Sequence, residues 1–481
     1  MNVRRFSTTV VVAATLAFVP RTNATPPDQT APESIASRYR AAADEIIRHT
    51  LSGNDAYNKL EHLCLVIGHR LTGSSQLDQA IDWAIETLKS DGQENVHKEK
   101  VIATHWVRGR ESAMMIEPRI EPLRMLGLGG SVGTPEGGIT ARVVVAEDED
   151  ALRALGDLVR GKIVLFNKAM PPYDAQHGSG YGPTVKYRTH GARFAAASGA
   201  VACLVRSVTA HSLRSPHTGA MRYGDADRKI PTAAISTEDA EMIARLTRRG
   251  IPVTVKLEMQ AKTLPDIESA NVIAELRGTT WPEEVVVIGG HIDSWDVGQG
   301  AHDDAGGCVM AMEAINVLRK LHRIPKRTIR VVLWTNEENG LAGGRAYAKQ
   351  HADELNKHIV AIESDSGVFT PKGFSIGCAD ERRAEAAVRQ MNDILSLFSS
   401  IGPMNAKVGG GGADISPMKP AGVLLMGHRV EGSTYFDYHH TEADTIDKVD
   451  PEKLSQNVAV LATVVYILAD MPTPLGGGPD P

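Results

Sequence analysis

The sequence predicts an α/β fold in which a mixed, mostly parallel sheet is flanked by helices and carries an inserted domain. Strand-like and helical segments alternate in the C-terminal half, as in sheets whose strands are joined by crossover helices. Residues 285–288 are all apolar, which is typical of a strand buried on both faces of a parallel sheet. Glycine-rich turns separate short apolar strands between residues 127 and 260. We therefore expect a main domain of residues 30–126 and 261–473 and an insert of residues 127–260.

The N-terminal residues 1–24 have the features of a secretory signal peptide. Arg4 and Arg5 precede the apolar run of residues 8–19, and small residues follow at 22–24. This order of charged, apolar and small residues is typical of signal peptides. A membrane anchor is the alternative, but the run is shorter than the ~20 residues that a membrane-spanning helix needs. We expect a secreted or periplasmic protein without stable membrane insertion after the segment is removed.

Hydrophobic periodicity predicts the individual elements. The first part of the main domain has predicted helices at 34–51 and 76–90 and strands at 101–106 and 113–116. The insert has predicted strands at 141–146, 162–166, 201–205 and 253–257 and helices at 189–198 and 237–248. In the last part, strands at 285–288, 328–334, 358–362 and 422–426 alternate with helices at 306–321, 341–355, 382–397 and 451–471.

The overall composition argues against a nucleic-acid-binding protein. The 481 residues have a formal net charge of −6 and a pI of about 6.3, whereas nucleic-acid binders usually concentrate basic residues on one face. The four cysteines are scattered and match neither a zinc ribbon nor a redox pair. A disulfide and buried thiols are both compatible with so few cysteines in an exported protein.

Acidic and imidazole residues recur where predicted strands end. Ligands of open α/β sheets bind outside the carboxyl ends of the strands. Each segment by itself has a simpler explanation, because an acidic residue after a strand is often a solvated loop residue or a helix cap. Together they would bring several carboxylates to one rim, where bound divalent cations remove the repulsion. The segments are residues 289–293, 300–307, 335–340, 363–367 and 438–445.

The residue types in these segments favour zinc. Histidines with several carboxylates and no cysteine suit a hydrolytic zinc site with a position left open for water. Two ions about 3.5–4 Å apart, bridged by one carboxylate, would hold a hydroxide and polarise a substrate carbonyl. Asp293 is placed to orient His291. A free carboxylate must also take the proton of the water and pass it to the leaving amine, and the neighbours Glu337 and Glu338 can divide the required roles.

Together the five segments resemble the M28 family of metallopeptidases. The order and spacing of His-x-Asp, Gly-Ala-x-Asp-Asp, Glu-Glu, Ser-Asp and His-x-x-x-Asp-Thr match the pattern of that family. The resemblance covers nearly the whole chain past the signal segment. Further motifs resemble the carboxypeptidase Q branch of the family, at residues 68–74, 187–191, 215–219 and 290–298.

The resemblance implies a metal-binding role for five residues. His291, Asp303 and Asp365 would hold one zinc. Asp303, Glu338 and His440 would hold the other, so that two Zn²⁺ ions per chain share the carboxylate of Asp303.

The same resemblance implies the catalytic residue and the architecture. Glu337 would be the general base and acid, and His440 is chosen over His439 because it stands four residues before Asp444. The main domain would have the zinc exopeptidase fold, and residues 127–260 would form a protease-associated domain covering the active-site cleft. Members of this branch are exported homodimers that cleave dipeptides or C-terminal residues, so short peptide substrates and a homodimer are expected.

We weighed several other functions and residue roles from the sequence. A receptor-like relative without metals would lack ligands that are all present here, and a single-zinc glutaminyl cyclase would not need His291. An aminopeptidase of the same family stays open, because only the pocket that binds the free terminus of the substrate separates it from a carboxypeptidase. His302 could be neutral or touch substrate. Residues 409–412 could donate backbone N–H groups to a substrate carboxylate or form a plain loop.

Overall fold

The computed structural model describes residues 1, 6–11 and 34–477. The predicted signal segment, residues 1–24, lies outside these residues except for residues 1 and 6–11, which belong to no helix or strand. Residues 35–477 belong to one compact unit. Within the described ranges, no helix is both long and apolar enough to cross a membrane.

The strands of the described residues form two eight-stranded sheets. In chain order they are β1 (Glu94–Val107), β2 (Glu111–Glu117), β3 (Glu121–Leu123), β4 (Met125–Gly127), β5 (Ile139–Ala146), β6 (Ile163–Phe166), β7 (Ala202–Arg206), β8 (Thr232–Ile235), β9 (Thr254–Met259), β10 (Lys262–Leu276), β11 (Trp281–His291), β12 (Arg327–Trp334), β13 (His358–Glu363), β14 (Pro371–Gly377), β15 (Asn405–Val408) and β16 (Leu424–Val430).

The α-helices of the same residues surround the sheets. They are α1 (Ile35–Ser52), α2 (Ala56–Glu61), α3 (Ser75–Ser90), α4 (Glu149–Leu155), α5 (Tyr181–Ala197), α6 (Thr237–Arg248), α7 (Gly306–Lys320), α8 (Ala342–Gln350), α9 (Glu381–Leu395), α10 (Tyr435–Tyr438) and α11 (Pro451–Asp470). The long helix α11 begins at Pro451 after Asp450, whose carboxylate accepts a hydrogen bond from the backbone N–H of Glu452.

The main sheet has the strand order β1-β10-β12-β11-β13-β16-β14-β15. Its centre is parallel, because β12, β11, β13 and β16 pair with one another in the same direction. β10 and β14 run antiparallel to this group on either side. The predicted mixed sheet of an α/β fold is confirmed, and the parallel strands end at one edge.

Helices bury both faces of the main sheet, which explains the continuous apolar run of β11. Side chains of a strand point alternately to opposite faces. Val286 and Ile288 belong to the core under α7 and α11. Val285 and Val287 belong to a second core that includes Tyr347 of α8.

The second sheet has the order β3-β2-β9-β5-β6-β7-β8-β4. It begins at Glu111, earlier than residue 127, where the sequence predicts the start of the insert. The difference arises because β2 pairs with β9, which is distant in the chain. Local periodicity indicates a strand at β2 but does not show which sheet the strand joins.

Two helices have bounds that differ by several residues from the sequence prediction. The helix predicted at 189–198 begins at Tyr181, because proline at position 183 falls in the first turn, where its missing N–H has no helical partner to lose. The helix predicted at 341–355 is α8 followed by a short 3₁₀ turn. All four cysteines are buried and free, so the disulfide alternative is wrong.

Candidate active site

The predicted metal ligands lie at one edge of the main sheet. His291 is the last residue of β11, whereas Glu338 and Asp365 follow β12 and β13. Asp303 lies in the turn before α7, and His440 lies in the loop between α10 and α11. Because β12, β11 and β13 are parallel neighbours, their carboxyl ends bring these side chains together.

Asp303 lies between the two histidines. Its Oδ1 is 3.2 Å from His291 Nε2, and its Oδ2 is 3.2 Å from His440 Nε2. His291 Nε2 is also 3.6 Å from Asp365 Oδ1, and His440 Nε2 is 3.1 Å from Glu338 Oε2. The five side chains therefore form two sets that share one carboxylate; we call them the ion cluster.

The ion cluster fits metal ions. Glu338 Oε1 is buried and has no hydrogen-bond partner among the described residues, which is unfavourable unless a cation binds it. Ligand atoms about 2.0–2.1 Å from a tetrahedral zinc lie about 3.3 Å from one another. The four separations, between 3.1 and 3.6 Å, are close to that value. The set of nitrogen and oxygen donors without cysteine also suits zinc.

His439 lies beside His440 and also faces Asp303. The two rings stack with centroids 3.5 Å apart, and His439 Nε2 is 3.7 Å from Asp303 Oδ2. Asp303, His439 and His440 could thus hold an ion together. His440 is closer to Asp303 than His439 is, and it also contacts Glu338.

Asp293 supports the site in a different way from that expected. His291 Nδ1 is 3.0 Å from the backbone oxygen of Asp293 but 3.8 Å from its carboxylate. The carboxylate instead accepts hydrogen bonds from the backbone N–H groups of Glu337, at 3.0 Å, and Glu338, at 3.3 Å. Asp293 therefore contacts His291 through its main chain and holds the glutamate turn through its side chain.

Two further buried aspartates hold the turn that contains Asp303. Asp304 accepts hydrogen bonds from the backbone N–H of His291, at 3.1 Å, and from the first turn of α7, at 3.0 Å. Asp444 accepts hydrogen bonds from the backbone N–H groups of His302, at 2.8 Å, and Asp303, at 3.1 Å. Asp304 therefore joins the end of β11 to the start of α7.

Burial and mutual contacts shift the pKa values of the site. Burial lowers the pKa of His440, but the nearby carboxylates of Glu338 and Asp303 outweigh it and raise the pKa to about 10. The pKa of His291 is raised well above its ordinary value by carboxylate contacts that likewise outweigh burial. Burial, together with neighbouring carboxylates, raises the pKa of Glu337 well above its ordinary value. In the metal-free site these shifts favour the protonated forms of His291 and His440.

A buried arginine from the motif at residues 68–74 organises the loop after β11. Arg70 is fully buried and donates hydrogen bonds to the backbone oxygens of Gly68, Ile292, Gln299 and Gly300 at 2.7–3.1 Å. The sequence identified this motif by resemblance, but the arginine's role is visible only from the loop that it binds.

Residues of the predicted insert contact His440 directly. The backbone N–H of Thr218 donates to the backbone oxygen of His440 at 3.0 Å, and His440 Nδ1 is 3.2 Å from the backbone oxygen of Thr218. His217 Nδ1 is 2.8 Å from the backbone oxygen of His439. Arg188 Nη1 is 3.3 Å from His440 Nδ1. These residues belong to the motifs at 187–191 and 215–219, which were identified in the sequence only by resemblance. Their contacts with the histidine loop were not predicted.

The ion cluster opens onto a cleft of about 1450 Å³. Glu337, Asp365 and His440 line the cleft from the main domain, and Tyr181 and Arg188 of α5 line it from the insert. The cleft is large enough for a short peptide, because small-molecule sites commonly measure about 300–1,000 Å³.

Two other sequence candidates lie outside this cleft. His302 Nδ1 accepts a hydrogen bond from the backbone N–H of Val368 at 3.0 Å, and its ring stacks against Phe369 and Tyr438. His302 is therefore a packing residue and not a substrate contact. Residues 409–412 line a separate, smaller depression.

Known proteins share the fold and much of the sequence. Residues 271–465 match the model of peptidase family M28. Carboxypeptidase Q of Mus musculus is 43% identical over 442 residues, which cover 91% of each chain. A peptidase M28 precursor from Shewanella amazonensis SB2B has a crystal structure similar to this one, with a TM-score of 0.86 and 37% identity over 92% of this chain and 99% of that one. A zinc aminopeptidase from Bacillus subtilis shares the fold, with a TM-score of 0.64 and 20% identity over 88% of this chain and 97% of that one.

These relatives test the resemblance that the sequence motifs indicated. The similarity to carboxypeptidase Q extends over nearly the full length of both proteins, so it includes the insert as well as the main sheet. The resemblance to the carboxypeptidase Q branch and the predicted fold class are confirmed. The chain belongs to the M28 family of metallopeptidases.

Proposed function

We propose that the protein is a two-zinc exopeptidase that hydrolyses dipeptides or removes C-terminal residues from short peptides after export. The observation that carries this proposal is the carboxylate of Asp303, which presents one oxygen to His291 and the other to His440. A shared carboxylate between two ion sites is typical of two-metal hydrolases, whose ions lie about 3.5–4 Å apart.

His291, Asp303 and Asp365 would hold one zinc, and Asp303, Glu338 and His440 would hold the other. Bound zinc supplies a water nucleophile at neutral pH and polarises the substrate carbonyl. Each histidine has its Nδ1 next to a backbone oxygen. A hydrogen on Nδ1 leaves Nε2 free to bind an ion, and the backbone contact favours that tautomer.

Glu337 would act as general base and then as general acid. Its backbone N–H is held by Asp293, and the residue lines the cleft beside the ion cluster. Burial raises the pKa of its carboxyl group in the metal-free site; in the proposed mechanism the group would accept a proton from water and return it to the leaving amine. Asp293 would act as a positioning residue for this glutamate and for Glu338.

The carboxypeptidase activity is supported by the relative that shares 43% of its sequence with this chain and is named carboxypeptidase Q. The Bacillus subtilis enzyme of the same fold is named an aminopeptidase, and aminopeptidase activity is the second candidate. Export is supported by the order of charged, apolar and small residues in positions 1–24. A homodimer is proposed from the resemblance to the carboxypeptidase Q branch.

The experiment that tests this function combines zinc content with three substrates: a free dipeptide, an N-acetylated dipeptide and a dipeptide amide. We expect about two zinc ions per chain and cleavage only where the carboxylate is free. A chelator should abolish activity and added zinc should restore it. Cleavage of the amide but not of the N-acetylated substrate would show an aminopeptidase, and activity that survives complete metal removal would exclude the mechanism.

A further inference from the structure

An arginine in the wall of the cleft has a buried guanidinium group and no anionic partner among the described residues. Arg188 of α5 is 8% exposed and lines the cleft. Its Nη1 is 3.3 Å from His440 Nδ1, and its Nε is buried without a hydrogen-bond partner. A buried cation is strongly unfavourable unless an anion accompanies it. The described part of the chain does not provide that anion.

The contact with His440 does not satisfy the guanidinium group. An arginine side chain only donates hydrogen bonds. His440 Nδ1 also lies 3.2 Å from the backbone oxygen of Thr218, which only accepts, so Nδ1 carries a hydrogen when Nε2 faces an ion. Nδ1 then has no lone pair for Arg188. With the ion cluster filled, the guanidinium group is left without an acceptor in the described structure.

The surroundings of Arg188 hold the guanidinium group by packing. A Cβ atom at Gly219 would lie 2.5 Å from Arg188 Cζ and Nη1, so only glycine leaves room for the group. The ring of Tyr181 lies 5.6 Å from the guanidinium carbon, a contact with an aromatic face that guanidinium groups favour. The cation is therefore held at a defined place in the cleft wall while its hydrogen-bonding edge remains unused.

We propose that Arg188 binds the free C-terminal carboxylate of the peptide substrate. This inference rests on the proposed function and deepens it, because recognition of the carboxylate separates a carboxypeptidase or dipeptidase from an aminopeptidase. A guanidinium group can form two parallel hydrogen bonds to a carboxylate. In a dipeptide one α-carbon separates the scissile peptide bond from the terminal carboxylate, so the anion site must lie directly beside the ion cluster, as Arg188 does.

The test uses Arg188→Met and Arg188→Lys, with Arg222→Met as the matched control. Arg222 lines the same cleft but is exposed. We expect Arg188→Met to raise KM for a free dipeptide about 10- to 100-fold with little change in kcat, because a hydrogen-bonded charge pair to bound substrate is lost. Arg188→Lys should give a smaller rise, and Arg222→Met should stay within about twofold of wild type.

A second readout separates carboxylate binding from a structural role. L-leucine and L-leucinamide differ only in the carboxylate, so their inhibition constants report on its recognition. We expect leucine to inhibit the wild type more strongly than leucinamide, and Arg188→Met to lose this difference while keeping the zinc content of the wild type. Zinc loss in Arg188→Met, or an unchanged KM with reduced kcat, would show that Arg188 only positions His440.

The outcomes distinguish failure of this inference from failure of the proposed function. If the wild type itself cleaves the dipeptide amide and does not distinguish leucine from leucinamide, the carboxypeptidase function is wrong. If the wild type requires the carboxylate and Arg188→Met requires it equally, the function stands and the assignment to Arg188 is wrong. If Arg188→Met does not fold, Arg188→Lys decides the question by the same two measurements.

Discussion

Asp444 accepts a hydrogen bond from the backbone N–H of Asp303 at 3.1 Å, and its second carboxylate oxygen accepts one from His302 at 2.8 Å. Asp444 belongs to the same loop as His440, so the loop that carries one candidate ligand also fixes the backbone of the shared carboxylate. Both halves of the ion cluster therefore depend on one aspartate that is 3% exposed.

We expect Asp444→Asn to weaken zinc binding about 10- to 100-fold. The amide offers a single oxygen to two backbone N–H groups and lacks the negative charge. Competition with a chromophoric chelator measures the affinity. Asp447→Asn changes an exposed residue three positions away and should bind zinc like the wild type. Equal affinities for the two variants would contradict the supporting role of Asp444.

We expect Glu337→Gln to keep both zinc ions and to lose about 10²- to 10⁴-fold in kcat, the usual contribution of a general base. The glutamine is close in size, and its backbone N–H still donates to Asp293. Steady-state kinetics and zinc analysis check both parts. Glu338→Gln is the matched comparison, because it alters the neighbouring carboxylate that contacts His440 and should lose zinc. Zinc loss in Glu337→Gln would show that the base has been assigned to the wrong residue.

Zinc binding should displace protons from the histidines of the site. The pKa of His440 is raised to about 10 and that of His291 well above its ordinary value, so both imidazoles are protonated at neutral pH in the metal-free protein. Zinc binds the neutral ring. We therefore expect about two protons or more released per chain at pH 7, because Glu338, whose pKa burial raises to about 7, adds to the release, and an affinity that falls as the pH decreases. Titration calorimetry in buffers of different ionisation enthalpy measures the release, and a value near zero would mean that the rings are already neutral.

Gly129→Ala should destabilise the protein by about 1–3 kcal/mol through overpacking. A Cβ atom at Gly129 would lie 2.0 Å from the ring of Trp295, whose centroid is 5.7 Å from that of His440. Gly182→Ala is the control, because no atom lies within 4 Å of its Cβ position and alanine is favoured in a helix. Urea denaturation compares the free energies of unfolding, and equal values for the two variants would show that Trp295 moves aside freely.

The segments that carry the candidate ligands could be found from local patterns in the sequence, whereas the choice of the five ligands within them came from the resemblance to the M28 family. An apolar strand precedes His291, Glu338 and Asp365, and parallel strands end at the same edge of a sheet. The chain order of the segments was therefore sufficient to bring the side chains to one region. The same logic could not show that the carboxylate of Asp293 turns towards the glutamates rather than towards His291, because that depends on side-chain direction within one loop.

Contacts between residues that are distant in the chain could not be predicted from the sequence. The pairing of β2 with β9 moves the start of the second sheet to Glu111, and no local pattern reports such a pairing. The contacts of Thr218 and Arg188 with His440 are likewise long-range. The motifs at 187–191 and 215–219 were visible as a resemblance, but their chemical role depends on the fold.

The buried guanidinium of Arg70 holds the loop beside the ion cluster by hydrogen bonds. Arg70 itself lies outside residues 271–465, the segment that matches the family model. A fragment cut to that segment would carry every candidate ion ligand and yet lack the arginine that shapes the loop behind them. We therefore expect residues 271–465 alone to lack an ordered loop beside the ion cluster. The loop beside the candidate ligands thus depends on a residue that lies far before them in the chain.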